Sequence, residues 1–296
     1  MGIRESTWLA RWPRTEQTVL YCTGSLLVAS GCLHVLVWLA DGGSLSGTIS
    51  WRKPILFGIS AGATVISMAW LAGKLKRRAL DLPLLSLFGI AMLVEVGLIT
   101  LQQWRGVASH FNRDTPFDAS VLTWIEWLIL FATLVIAYLT RRSFRPLPTK
   151  PALTLAIRSG MAYLLLSCVL GFVLVAHGNH QVSQGLSPEL FGAAGVMKFP
   201  HGVPMHAIQF LPFLAWILGL AGVADRQRYC AIVCGVLSTL VFTGFSLLQT
   251  FTGRSRFDIW WLSGIALLIA VVLMSVPVCI GFRGAVRRLV RARVRI

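Results

Sequence analysis

Long apolar stretches alternate with short polar segments along the whole chain. Eight of these stretches run for about 20 residues each, which is the length an α-helix needs to cross a hydrocarbon core about 30 Å thick. They cover residues 18–40, 55–73, 84–104, 119–140, 160–180, 205–223, 230–250 and 259–282. Because irregular backbone is not tolerated next to lipid, the pattern predicts an all-α, polytopic integral membrane protein with about eight transmembrane helices.

Composition supports the same class. Hydrophobic residues make up 56% of the chain and charged residues only 13%, whereas a soluble domain has about a quarter of its residues charged. The net charge of +16 does not indicate nucleic-acid binding, because the basic residues lie in short loops where membrane topology and anionic lipids account for them. The predicted partners are membrane lipids and no nucleic acid.

The distribution of Lys and Arg predicts the orientation. If the N-terminus is cytoplasmic, 20 of the 27 basic residues lie in cytoplasmic segments, as the positive-inside rule requires. The other seven then lie outside: Arg52, Lys53, Arg105, Arg113, Lys198, Arg254 and Arg256. An even number of spans returns the C-terminus to the cytoplasm, so both termini are predicted to be cytoplasmic.

The chain also carries a weak internal repeat. At an offset of 146 residues, His34, Pro54, Trp70 and Gly73 recur as His180, Pro200, Trp216 and Gly219. At an offset of 147, residues 101–106 align with residues 248–253. This favours one membrane domain made of two parallel four-helix halves, 1–150 and 151–296, related by an axis along the membrane normal.

All six histidines fall on the predicted outer side: His34, His110, His177, His180, His201 and His206. Histidine is the side chain best suited to metal ligation and proton transfer near neutral pH, so the pattern predicts a polar site at the outer face. His34, His180, His201 and His206 are the candidate ligands of a transition metal or haem. A packing role for each histidine is the alternative.

The most polar outer segment, RGVASHFNRDTPFD at residues 105–118, contains His110. We expect His110 to be a catalytic acid or base. Asp118 either orients a histidine or caps the fourth helix, and its position at the start of that helix favours capping.

Outer polar residues next to the spans supply the other half of the predicted site. Lys53, Gln102, Arg105 and Lys198 are candidates for binding a head group, a haem propionate or a quinone oxygen. The alternative is that the cations only bind lipid phosphates.

Two carboxylates are predicted to lie inside the membrane. Glu95 and Glu126 are each about 12 Å below the outer ends of spans 3 and 4, at 1.5 Å per residue. A carboxylate at that depth must be protonated, paired or next to a polar cavity, so both are candidate catalytic or proton-carrying residues.

The segments WRKPILFGIS, QQWRGVASHFNRDTPFDA and HGVPMHAIQFLP resemble those of a group of uncharacterised bacterial multi-pass membrane proteins. The resemblance covers most of the chain in the order of its motifs. It implies a location in the bacterial cytoplasmic membrane, and it implies no activity, because none is established for that group.

Three classes of function fit the sequence. The first is a metal- or haem-dependent membrane protein, an oxidoreductase in the simplest case, that acts on a lipid-soluble substrate at the outer histidines. The second is a proton- or ion-coupled transporter that uses Glu95, Glu126 and the histidines. The third is a non-catalytic membrane component that binds lipid or protein. The sequence leaves open whether the chain is an enzyme.

Overall fold

The computed structural model describes residues 13–293, which form nine helices and one short hairpin. The helices are α1 (Thr15–Asp41), α2 (Arg52–Ala72), α3 (Asp81–Trp104), α4 (Pro116–Ser143), α5 (Pro151–Ser183), α6 (Lys198–Met205), α7 (Ala207–Leu220), α8 (Asp225–Phe251) and α9 (Trp261–Arg293). Strands β1 (Leu190–Phe191) and β2 (Gly195–Val196) pair antiparallel between α5 and α6.

Eight helical segments within residues 13–293 are long and apolar enough to cross a membrane, with α6 and α7 together forming one of them. This confirms the prediction of an all-α, multi-pass membrane protein, apart from the two-residue strands. Several helices extend beyond the predicted apolar stretches, and α5 begins at Pro151 instead of residue 160. Hydrophobicity marks only the part of a helix within the hydrocarbon, whereas proline at the first helical position starts the helix earlier.

The sixth span is broken between α6 and α7 at His206. Pro204 lies in the last turn of α6, and His206 has a backbone ψ of 7°, outside the helical range. Proline cannot donate a helical hydrogen bond and clashes with the carbonyl four residues earlier, which accounts for the break.

By its internal contacts the chain divides into two compact units, which we call unit 1 (Met1–Val135) and unit 2 (Ile136–Ile296). The boundary falls within α4. The predicted division at residue 150 was based on the internal repeat, and it stays a prediction.

Within unit 1, helices α1 and α2 are joined by glycines that bring their backbones together. A Cβ atom added to Gly62 would lie 2.6 Å from the carbonyl oxygen of Gly24, and one added to Gly58 would lie 2.8 Å from Cα of Gly31. Such a close approach maximises van der Waals contact, which matters because lipid gives helices no hydrophobic reason to associate.

Buried polar groups join the start of α1 to the end of α2 and the segment after it. Glu16, which is 1% exposed, forms an ion pair with Arg77 at 3.1 Å in the segment between α2 and α3. Gln17 donates to the carbonyl oxygen of Ala69 at 3.0 Å. These contacts fix the start of α1 to the end of α2.

Within unit 2, α5 packs against α6, α7 and α8, and α8 packs against α9. Gly160 brings α5 close to α7, since an added Cβ would lie 2.7 Å from Cα of Ile208. Tyr163 donates its hydroxyl hydrogen to the carbonyl oxygen of Val236 at 2.8 Å, which ties α5 to α8.

We expect Gly62→Leu to destabilise the protein by about 1–3 kcal/mol, because the new side chain meets backbone atoms that cannot move aside. Thermal unfolding of the detergent-purified protein measures this effect. Gly97→Ala in α3 is the matched control, because its Cβ would enter open space, and it should be neutral or stabilise the helix by up to about 1 kcal/mol. Equal melting temperatures for the two variants would contradict the close α1–α2 contact.

Candidate functional site

The predicted site residues are divided between the two units. Unit 1 contains His34, Lys53, Glu95, Gln102, Arg105, His110 and Glu126, and unit 2 contains His180, Lys198, His201 and His206.

His34 is buried near the end of α1 and uses both ring nitrogens. Its Nδ1 lies 2.7 Å from the carbonyl oxygen of Ser30, and the indole N–H of Trp104 donates to its Nε2 at 3.1 Å. Since a carbonyl can only accept and an indole N–H can only donate, His34 is a neutral imidazole with its proton on Nδ1. Its ring also packs against Trp51. Because the indole N–H of Trp104 occupies Nε2, a metal could bind His34 there only by displacing Trp104.

Gln102 and Arg105 meet at a buried carboxylate that the sequence placed at the start of α4. Oδ1 of Asp118 accepts hydrogen bonds from Gln102 at 2.8 Å and from Arg105 at 2.6 Å. Its Oδ2 accepts from the hydroxyl of Thr115 at 2.7 Å, and Thr115 in turn accepts from the backbone N–H of Asp118. Asp118 therefore belongs to the N-terminal cap of α4, as favoured from the sequence.

Lys53 and His110 are brought together through a serine. The ammonium group of Lys53 donates to Oγ of Ser109 at 3.2 Å, and Ser109 Oγ lies 2.9 Å from Nδ1 of His110. Lys53 is 8% exposed and Ser109 is 3% exposed. We call these three residues the Lys53 cluster.

The loop that carries Ser109 and His110 has a defined backbone. Asn112 is buried, donates to the carbonyl oxygen of Ala108 and accepts from the backbone N–H of Asp114. Phe111, next to His110, has a φ of +58°, and it is the one non-glycine residue with positive φ within residues 13–293. A bulky residue rarely adopts this conformation, and such positions concentrate at functional sites.

Apolar residues lie about one helical turn from Gln102 on α3 and about one to two turns from Asp118 on α4. Ile99, Val121 and Ile125 form a buried cluster against which Phe57 packs. The ring of Phe57 also contacts the ring of His110, with a centroid distance of 5.7 Å. Through Phe57, the Lys53 cluster therefore contacts an apolar layer formed by Ile99, Val121 and Ile125.

Glu95 lies on α3 one turn beyond this apolar layer. It is 3% exposed, and its Oε2 has no hydrogen-bond partner among the described residues. It is nine residues from Trp104, the last residue of α3, which is about 13 Å along the helix.

Glu126 has different surroundings from Glu95. Its side chain is 37% exposed, and it forms an ion pair with Arg113 at 3.2 Å. The two carboxylates that the sequence placed at similar depths therefore differ, since one is buried in the helix packing and the other is paired near the surface of α4.

In unit 2, two histidines near the end of α5 contact local groups. Nε2 of His177 lies 2.7 Å from the carbonyl oxygen of Leu190, which links α5 to strand β1. His180 is exposed, and its Nε2 lies 3.2 Å from the side-chain amide of Gln184. Lys198 forms an ion pair with Glu189 at the start of α6.

His201 joins α6 to α5. Its Nδ1 lies 2.8 Å from the carbonyl oxygen of Ser167, and the Ser167 hydroxyl donates to the carbonyl oxygen of His201 at 2.7 Å. The ring packs over Gly171, where an added Cβ would lie 3.1 Å from it. These contacts give His201 a role in helix packing.

His206 is exposed at the break between α6 and α7, where it lines a groove of about 350 Å³ with mostly apolar walls. The wall residues include Phe210, Phe242 and Met274. The hydroxyl of Thr239, which also lines the groove, donates to the carbonyl oxygen of Gly235 within α8.

Within residues 13–293, no group of three or more His, Cys, Asp or Glu side chains is arranged to hold a metal ion. Of the four predicted metal ligands, His34 lies in unit 1, and His180, His201 and His206 lie in unit 2. A metal or haem therefore stays a prediction from the sequence.

Sequence reasoning missed Ser109 as the residue that connects Lys53 to His110. The one indication available was its position directly before His110 in the most polar outer segment. Lys53 lies 56 residues earlier, and nothing local in the sequence predicts their contact. Ser167, the partner of His201, was missed for the same reason, because 34 residues separate the two.

No protein-family model, curated protein or solved structure matches the chain. Its function is therefore inferred from the arrangement of its own side chains.

Proposed function

We propose that the Lys53 cluster binds the polar head group of a lipid-soluble substrate and that His110 transfers a proton to or from it. The observation that carries this proposal is the hydrogen-bonded series from Lys53 through Ser109 to His110. It supports an acid–base site, because an imidazole beside a hydroxyl and an ammonium group can move a proton and stabilise negative charge.

The burial of Lys53 favours a ligand that is rich in oxygen. A buried ammonium group is costly unless acceptors surround it, and ester carbonyl and phosphate oxygens are strong acceptors. Arg105 also carries positive charge in unit 1, and its guanidinium is held by Asp118. We assign Lys53 to the substrate because it is buried and is linked through Ser109 to His110.

The tryptophans near the Lys53 cluster suit a substrate that resides in the membrane. Trp51 directly precedes α2, and its ring packs edge-on against Trp104 at a centroid distance of 5.2 Å. Tryptophan concentrates at the boundary between hydrocarbon and water, where lipid head groups lie. A head group at this level could reach Lys53 while its acyl chains stay among the helices.

A second candidate function is proton binding at Glu95, which the transporter class requires. Its support is the buried Oε2, because an ionised carboxylate with an unsatisfied oxygen in an apolar setting is very costly and a carboxylic acid is not. The apolar layer of Ile99, Val121 and Ile125 lies between Glu95 and the end of α3. Glu95 is thus proposed as a separate proton site.

We also propose that both termini are cytoplasmic and that the Lys53 cluster faces outward. The support is the bias of basic residues, since 20 of the 27 fall on one side if the eight spans alternate. The location in the bacterial cytoplasmic membrane has only the sequence resemblance behind it and stays a prediction.

We propose that the two halves of the chain arose by duplication, and the ends of α3 and α8 support this. Gly106 donates to Gln103 and Val107 donates to Gln102, while Gly253 donates to Thr250 and Arg254 donates to Gln249, all through the backbone at 3.0 Å. Both glycines have a φ of +69°. These are the same helix-ending motif at the predicted offset of 147 residues.

The buried glutamine in each motif supports the duplication further. Gln102 is 1% exposed and donates to Asp118 at the start of α4. Gln249 is 0% exposed and donates to the carbonyl oxygens of Ser255 and Asp258, just before α9. In each half the glutamine thus secures the chain leading into the last helix.

The head-group proposal predicts where a lipid should attach. A phospholipid with a photoreactive diazirine in its head group, incorporated into nanodiscs with the protein, should cross-link to residues 51–57 and 105–115, as identified by peptide mass spectrometry. Lys53→Met should reduce this yield about tenfold or more, because a hydrogen bond to a charged group contributes about 1.5–3 kcal/mol.

Lys76→Met, an exposed lysine on the segment between α2 and α3, is the control and should leave the yield unchanged. Cross-links spread evenly over all helices and insensitive to Lys53→Met would overturn head-group binding. Cross-linking at the expected residues with no effect of His110→Gln on any conversion of the lipid would favour the non-catalytic, lipid-binding class.

The proton site at Glu95 predicts reactivity with dicyclohexylcarbodiimide, an apolar reagent that modifies protonated carboxyl groups. Glu95 should be modified, and Glu95→Gln should remove the modification while leaving the melting temperature within about 2 °C, because the amide is neutral and of similar size. Glu126 should react much less, because it is paired with Arg113. Modification of Glu126 in preference to Glu95 would contradict the assignment.

Reporter fusions test the topology. A reporter after Ile296 should show cytoplasmic activity, and one inserted between Ser187 and Pro188 should show external activity. The opposite pair of results would place the Lys53 cluster on the cytoplasmic side.

A further inference from the structure

The Lys53 cluster contains one hydrogen bond whose direction follows from the chemistry of lysine. A protonated lysine has three hydrogen-bond donors and no acceptor, so Ser109 Oγ must accept from Lys53 at 3.2 Å. In the Nε2–H tautomer of His110, Nδ1 accepts the hydroxyl hydrogen of Ser109, whose Oγ lies 2.9 Å away. Action of His110 as a base toward Ser109 requires this tautomer, in which the single imidazole proton is on Nε2 and Nδ1 can take the serine proton.

These contacts meet the chemical requirements of an activated serine. A serine hydroxyl becomes a nucleophile when a base removes its proton and a nearby positive charge stabilises the oxygen. His110 is the base, and Lys53 is the positive charge. Phe57 and Phe111 pack against the ring of His110, which holds the imidazole in place.

From this geometry we infer that Ser109 is the nucleophile of an acyl-transfer site whose substrates are carboxylic esters of lipids. The inference rests on the proposed function, because it assigns a reaction to the head group bound at Lys53. It also adds a residue and a bond-forming step that head-group binding alone does not need.

The first half of the reaction transfers the acyl group of the ester to Ser109. Ser109 Oγ attacks the ester carbonyl carbon while its proton passes to Nδ1 of His110, and the oxyanion forms beside Lys53. When the carbon–oxygen bond of the ester breaks, the leaving alcohol takes the proton from His110. The product of this half-reaction is an acyl group on Ser109.

The second half regenerates the serine. Water, or the hydroxyl group of a second lipid, gives a proton to His110 as it attacks the acyl carbon. Ser109 then leaves and recovers that proton. The net change is hydrolysis of the ester or transfer of its acyl group to another alcohol, with no oxidant or reductant involved.

The backbone beside the nucleophile bears on substrate access. Ser109 is 3% exposed, so an ester must reach it through a local movement of the loop. Phe111, two residues away, holds the rarely adopted φ of +58°, and a change at this residue would redirect the adjoining segment.

An alkyl fluorophosphonate tests the nucleophile directly, because it forms a stable Oγ–P bond and releases fluoride only at an activated serine. With the full-length protein in nanodiscs, we expect peptide mass spectrometry to find the label on Ser109. Ser109→Ala should abolish labelling. His110→Gln and Lys53→Met should each slow it at least tenfold, and Lys53→Arg should restore part of the rate because it keeps the charge.

Two controls separate reactivity from folding. The melting temperature of each variant is measured alongside labelling, and Ser44→Ala, at an exposed serine before α2, should not change the rate. Absence of label on Ser109 in correctly folded wild-type protein would overturn the inference. Labelling of His110→Gln at the wild-type rate would overturn it as well.

The same preparation distinguishes this failure from failure of the proposed function. If the diazirine lipid still cross-links at residues 51–57 and 105–115 but the fluorophosphonate does not react, head-group binding stands and the nucleophile is wrong. If neither reagent reacts at these residues, both are wrong.

Discussion

The hydrocarbon core offers no hydrogen-bond partner, and this constraint governs the structure from backbone to side chain. Helices satisfy the backbone, and the hydroxyl groups within them follow the same rule. Thr140, Thr239 and Thr243 each donate to the carbonyl oxygen four residues earlier in their own helix. His34 and His201 likewise bond to backbone carbonyl oxygens, so much of the polar chemistry visible in the sequence is used to build the helix packing.

Helix association in lipid depends on close contact, because burying an apolar side chain against another helix gains little over leaving it in lipid. The glycines of α1 and α2 provide that contact in unit 1, and Gly160 of α5 provides it in unit 2. In unit 1 the approach of the two helices puts the first residues of α2 at the end of α1. The packing of these glycines therefore sets the position of Lys53 in the first turn of α2.

Several polar side chains of the two units have structural roles. Asp118 and Gln102 complete the cap of α4, His34 bonds to Trp104, and His201 bonds to Ser167. The Lys53 cluster differs from these in joining a cation, a hydroxyl and an imidazole in one series. An acid–base site at this position uses side chains that are in contact, whereas a metal centre needs ligands that the described residues do not bring together.

The sequence by itself determined the class of the protein, because spans of about 20 apolar residues have one stable form in a bilayer. It also identified the cap at Asp118, since capping arises from interactions between residues close in the chain, whereas the break of the sixth span at His206 was not predicted. The tertiary structure was needed to show that Lys53 reaches Ser109, that Glu95 is buried while Glu126 pairs with Arg113, and that His34 and His201 bond to backbone carbonyl oxygens. The physical reason is that helix periodicity fixes local geometry, whereas the rotation of each helix and its contacts depend on packing between segments far apart in sequence.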